Sequence, residues 1–239
     1  MESSNPLLNR SWDRERSGEE SRAMTFPGMV NKTGILLLLC FGSAVFSWSQ
    51  PEFQTLFLFG GMIGALIACL VGTFVPTTTP FTAPAYALLK GLCIGAVSQI
   101  FNARYPGIAL NALLLTFAVL AVMLTLYTKR IIRVNDRLTQ IIIFSTIAIG
   151  VLYLVDALLH IFGVRVPFIH DSGIFGVVFS LVVVGVASFN LLLDFDLIEH
   201  SIRQRAPAYM EWYCGMALLI TLVWLYLEIL RLLSKLNRR

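Results

Sequence analysis

The sequence predicts an all-α, polytopic membrane protein built as a seven-transmembrane-helix bundle. Three observations predict it. Of 239 residues, 57% are apolar and only 13% are Asp, Glu, Lys or Arg, where an average soluble domain carries about 25% charged residues. The mean hydropathy of +0.77 exceeds what a globule of this size can bury, because roughly 30% of its chain surface stays wet. Finally, the apolar residues gather into seven runs, each near the ~20 residues that cross a hydrocarbon core. A soluble enzyme, a disordered scaffold and a disulfide-stapled secreted module are excluded.

Residues 1–30 are polar, charged and without helical periodicity, and read as a disordered tail. The tail is too long and too acidic for the n-region of a typical signal peptide. Residues 31–239 form the membrane domain, with spans at about 33–49, 53–74, 82–101, 107–127, 139–162, 173–193 and 211–233. Turn residues punctuate them: Gln50-Pro51, Pro76 to Pro80, Tyr105-Pro106-Gly107, Val166-Pro167 and Ala206-Pro207. Proline suits the first turn of a helix, where its missing N–H is not needed. Backbone groups in lipid must be satisfied internally, so runs of this length are helices.

Basic residues set the orientation. Arg10, Arg14, Arg16, Arg22 and Lys32 lie before or at the first span, Lys129, Arg130, Arg133 and Arg137 in the fourth connection, and Arg203 and Arg205 in the sixth. The alternate connections hold Arg104 and Arg165. The N-terminus is therefore expected in the cytoplasm. Seven spans put Lys235, Arg238 and Arg239 on the other side, against the same rule. No basic run is interleaved with aromatics, so no nucleic-acid partner is expected. Cys40, Cys69, Cys93 and Cys214 all fall in apolar runs without a CxxC pair and read as small buried hydrophobes.

Ionisable side chains inside spans are costly and are functional candidates by default. Asp194 and Asp196 end the sixth span, and at 100° per residue they point about 200° apart. Reflection through a hairpin centred near Arg203 brings Asp194 level with Glu211. The three acids then form a gating or ion-binding group, a proton-sensitive latch whose ionised form can hold a hard cation through oxygen ligands. The alternative is three snorkelling acids at a helix end. Lys90, about 12 Å into the third span, is either a basic partner of Asp194 or a snorkelling side chain. Glu228 lies near the outer end with Arg231 at i+3, a secondary ion pair. Asp156, His160, His170 and Asp171 read as interfacial residues, with a metal or proton site as the alternative.

Catalysis is not expected. There is no GxSG, HExxH or GxGD sequence, three histidines are too few for a His₃ zinc site, and the seventh span has no Lys for a Schiff base. No metal and no resident cofactor is expected, beyond transient Ca²⁺.

The stretches Ser188-Phe-Asn-Leu-Leu-Leu-Asp-Phe-Asp-Leu-Ile-Glu199, Ala206-Pro-Ala-Tyr-Met-Glu-Trp-Tyr213 and Leu222-Val-Trp-Leu-Tyr-Leu-Glu-Ile-Leu-Arg-Leu-Leu233 resemble the Bax inhibitor-1/YccA family, most of all its longer bacterial branch. Thr82-Ala-Pro-Ala-Tyr-Ala-Leu-Leu-Lys-Gly91 and Tyr105-Pro-Gly107 are similar to that branch too. The resemblance implies a bundle with the seventh helix central and residence in a bacterial inner membrane. It also implies a pH-sensitive calcium leak latched by acids on helices six and seven, and roles in stress response. Asp194 matches the helix-six acid. The helix-seven acid of the family would fall near Leu219 to Thr221, where this chain has no carboxylate, and Glu211 replaces it by hairpin depth. The expected function is a passive, pH-gated cation leak between bilayer faces, with Ca²⁺ and H⁺ as partners. The alternative is a non-channel, membrane-embedded regulator of a membrane protease such as an AAA protease.

Overall fold

The computed structural model of the chain describes residues 23–162 and 173–238. Seven helices run through it: α1 (Phe26–Trp48), α2 (Gln54–Phe74), α3 (Thr79–Arg104), α4 (Ile108–Thr128), α5 (Asp136–Ile161), α6 (Ile174–Arg203) and α7 (Met210–Leu236). All seven are long and apolar enough to cross a bilayer, so this is a multi-pass integral membrane protein. An odd number of spans puts Ala23 and Arg238 on opposite faces.

Local chemistry sets the boundaries. The Thr25 hydroxyl accepts the Gly28 N–H at 3.1 Å, with Pro27 in the first turn, a standard helix start. The first helix thus begins at Phe26, and residues 26–30 belong to it and not to the tail. Asn31 and Lys32 hide this start by interrupting the apolar run; residues 1–22 lie outside the described residues. Pro51 and Pro76 open short 3-10 turns before α2 and α3. Gly107, at φ 83°, makes the left-handed step into α4 that a side chain would resist.

α7 is the axis of the bundle. Of its membrane window 56% is buried inside the protein, against 11% for α5. One face of α7 (Leu218, Leu222, Leu225, Ile229) joins a core with α4 and α6, while Met216, Leu219 and Val223 join a second core with α1, α2 and α3. Large apolar side chains on α2 and α5 stay exposed, as lipid-facing helices require. Small residues let backbones meet: a Cβ on Gly91 or Gly95 of α3 would collide with the carbonyls of Cys40 and Ala44 in α1. Without a hydrophobic drive between helices in lipid, such close packing is the main cohesive term.

Candidate functional site

The acidic row of α6 is split by helical geometry. Asp194 points to α7, where the Thr221 hydroxyl faces its carboxyl group. One oxygen, Oδ2, is fully enclosed and has no hydrogen-bond partner among the described residues, although other atoms of the residue keep some exposure. Thr221 offers little beyond this contact, since its hydroxyl reaches the Ala217 carbonyl only at a long 3.4 Å. Cys214, buried and two turns before Thr221 on the same face of α7, completes the polar lining. Asp194 stands nine residues before the end of α6, about 13 Å from it, and Thr221 eleven residues into α7, about 16 Å.

Asp196 and Glu199 share the opposite face of α6 and turn to the end of α4. The Tyr127 hydroxyl donates to Glu199 and approaches Asp196 Oδ1 at 3.4 Å. Arg130 Nη2 meets Glu199 Oε1 at 2.5 Å, and Arg203 donates to the same oxygen. Arg130 also stacks over the Tyr127 ring at 5.4 Å, and Phe195 tilts against that ring at 5.7 Å. Arg130 occupies the left-handed position (φ 54°) that ends α4, which aims its guanidinium back at α6. The Glu199 carboxylate in turn holds the Arg130 guanidinium even more firmly protonated than usual.

Glu211 belongs to neither group. It is 5% exposed in the first turn of α7. Its Oε1 accepts the Thr25 N–H at 2.8 Å and the Thr25 hydroxyl at 3.1 Å, and its Oε2 accepts Lys32 Nζ at 2.5 Å. Lys32 further lies over the Trp212 ring at 5.5 Å. Met24 N–H donates to the Ala206 carbonyl at 2.7 Å, and Ala23 pairs with Pro207. The segment before α1 is thus clasped to the α6–α7 loop, which the buried Thr79 also holds by donating to the Tyr209 carbonyl at 3.1 Å.

The three expected gate acids are therefore not one group. The sequence reading centred the hairpin near Arg203, but α6 runs as a helix to that residue, so the true centre lies between Arg203 and Met210. Reflected there, Asp194 falls close to Thr221, while Glu211 sits about a dozen Å nearer the surface. Among the described residues no cluster of three His, Cys, Asp or Glu side chains could hold a metal ion. Lys90 is not the partner of Asp194 either. It is half-buried, makes no hydrogen bond or ion pair among the described residues, and its field reaches Cys40 and Cys93. α3 turns Ala83, Tyr86 and Ala87 into the core instead. The pair of Glu228 and Arg231 is present at 2.9 Å, with Tyr153 donating to Glu228 at 2.9 Å. Asp156 is half-buried near the far end of α5; the His160 side chain, His170 and Asp171 lie outside the described residues.

Residues 5–238 match the family described as Bax inhibitor 1 like. The chain belongs to that family. No curated protein and no solved structure matches it. Thr221, which faces Asp194, lies within the Leu219 to Thr221 stretch of α7. Sequence reasoning missed Thr25, Lys32, Tyr127 and Glu199. Of these, only Thr25 followed by Pro27 carried a local signal, that of a helix cap.

Proposed function

We propose that this Bax inhibitor 1 like protein is a passive, pH-sensitive cation leak, most readily for Ca²⁺, in a bacterial inner membrane with its N-terminus in the cytoplasm. The reading assigns it no catalytic chemistry. The observation that carries it is the enclosed Oδ2 of Asp194, without a hydrogen-bond partner among the described residues, on the carboxyl group that faces Thr221 of the central helix. Buried polar atoms without partners are rare and call for a reason, and an ionisable group inside a membrane bundle is by default part of a pathway. Gaining a proton converts the carboxyl from acceptor only to donor. The contact with the Thr221 hydroxyl then reverses its hydrogen-bond direction and the site loses a charge, which biases the packing of α6 against α7. The gate is one acid and one hydroxyl in place of a carboxylate pair. The test is Ca²⁺ entry into liposomes holding an enclosed dye as pH steps between about 8 and 6. Flux that responds to pH in the parent and not in Asp194→Asn supports the gate. Equal pH response in both sinks it.

A second reading rests on the clasp of residues 23–25 to the α6–α7 loop. A partner that pulls on the tail pulls on the hinge between Asp194 and Thr221, as a regulator of a membrane-bound AAA protease would need. Deleting residues 1–22 leaves the clasp in place, so a leak survives the deletion and a tail-dependent partner is lost from pull-downs.

A further inference from the structure

On the face opposite the clasp, a cavity of about 630 Å³ opens where α3 and α7 end together. Its polar lining is Arg104, Tyr105, Arg231, Ser234, Lys235 and Arg238, four cations with no acid among the described lining residues. Arg231, Ser234 and Lys235 recur at i, i+3 and i+4, so they share one face of α7, and Arg238 follows two residues past its end. Like charges at that spacing repel, and Glu228 offsets Arg231. Two of the four are held in place. Arg231 is fixed by Glu228 and by the Tyr153 ring, 4.8 Å from its guanidinium. Lys235, 4% exposed, donates to the Gly176 carbonyl at 2.9 Å and the Ser180 hydroxyl at 2.8 Å, both on α6. Arg104 and Arg238 flank them, exposed.

Two of the four, Lys235 and Arg238, are residues whose charge defies the orientation rule, and the fold gathers them with Arg104 and Arg231 around one hollow. We propose that the cavity binds a phosphate-bearing anion, either the headgroup of an acidic lipid or soluble phosphate. The volume lies within the range of ligand sites, roughly 300–1,000 Å³. Arginine forks match phosphate oxygens two at a time. The site lies at the ends of two spans, on the face opposite the clasp, where a pocket between helix ends can meet a lipid headgroup as well as a soluble anion. Nothing in it depends on whether Asp194 gates an ion.

The test uses the full chain in neutral detergent. Retained lipid is counted by native mass spectrometry with phosphatidylglycerol and with phosphatidylcholine, and inorganic phosphate is titrated by calorimetry. We expect one phosphatidylglycerol retained in preference to phosphatidylcholine, with affinity falling about tenfold or more in Arg104→Gln/Arg238→Gln, the loss of charge-assisted bonds worth ~1.4 kcal/mol. Both positions are exposed, so the double variant folds, and its unchanged melting temperature verifies that. Binding of inorganic phosphate with no lipid preference, lost in the same variant, assigns the soluble source. No binding of either, or binding that ignores the double variant, overturns the proposal.

Discussion

The Asp194 carboxyl of α6 faces the Thr221 hydroxyl of α7, and among the described residues no cluster of three acidic, histidine or cysteine side chains surrounds them. An enclosed acceptor without a partner costs stability, about 1–3 kcal/mol. Asp194→Asn and Asp194→Leu are therefore expected to leave the protein as stable as the parent or more so. Melting in detergent, followed by tryptophan fluorescence, checks this. A loss above about 1 kcal/mol in both variants would mean that the carboxylate is a structural ion-pair member with a partner at that site.

How much of this was legible in the sequence differs between fold and site. Hydropathy and proline punctuation mark all seven spans, because lipid forces the backbone to satisfy itself within each run. The 200° separation of Asp194 and Asp196 is also readable, and the structure realises it with α7 on one side and Tyr127 on the other. Depth was misjudged because it depended on where the α6–α7 hairpin turns, and α6 stays helical through Arg203. Azimuth was not readable at all. Lys90 has the right depth for Asp194, but α3 presents a different face to the core. The pairing of Lys32 with Glu211 joins residues 179 positions apart, and no local pattern announces it.

The Glu211 clasp predicts an asymmetry between its partners. Glu211→Gln weakens the bond to Lys32 Nζ and weakens both bonds from Thr25, so a loss of about 1–3 kcal/mol is expected. Lys32→Met leaves the Thr25 bonds intact but strands a buried carboxylate, so its cost to global stability should be the larger, about 3–5 kcal/mol. Hydrogen exchange at residues 24–28 should accelerate more in Glu211→Gln than in Lys32→Met. Equal acceleration would mean that the lysine alone fixes the segment.

Glycines of the bundle fall into two kinds that respond oppositely to one methyl group. Gly91 and Gly95 abut α1 backbone carbonyls, so alanine at either forces α1 and α3 apart and should cost about 1–3 kcal/mol. Gly150 and Gly185 meet nothing within 4 Å of where a Cβ would stand. Alanine there removes chain entropy from the unfolded state and should be neutral or stabilise by about 0.5–1 kcal/mol. Thermal melts of the four single variants test the contrast directly.

The pair at the far end of α7 is unequal in exposure, and this sets the order of its variants. The Glu228 side chain is 2% exposed and that of Arg231 38%. Arg231→Met strands a buried carboxylate whose remaining partner is the Tyr153 hydroxyl at 2.9 Å, and removing one member of a buried pair costs about 3–5 kcal/mol. Glu228→Met leaves a guanidinium that water and the Tyr153 ring can still reach, so its cost should be smaller. The double variant Glu228→Met/Arg231→Met removes both charges and should be more stable than Arg231→Met alone. A double variant as damaged as the sum of its singles would mean that the two residues act independently, with the 2.9 Å contact contributing nothing.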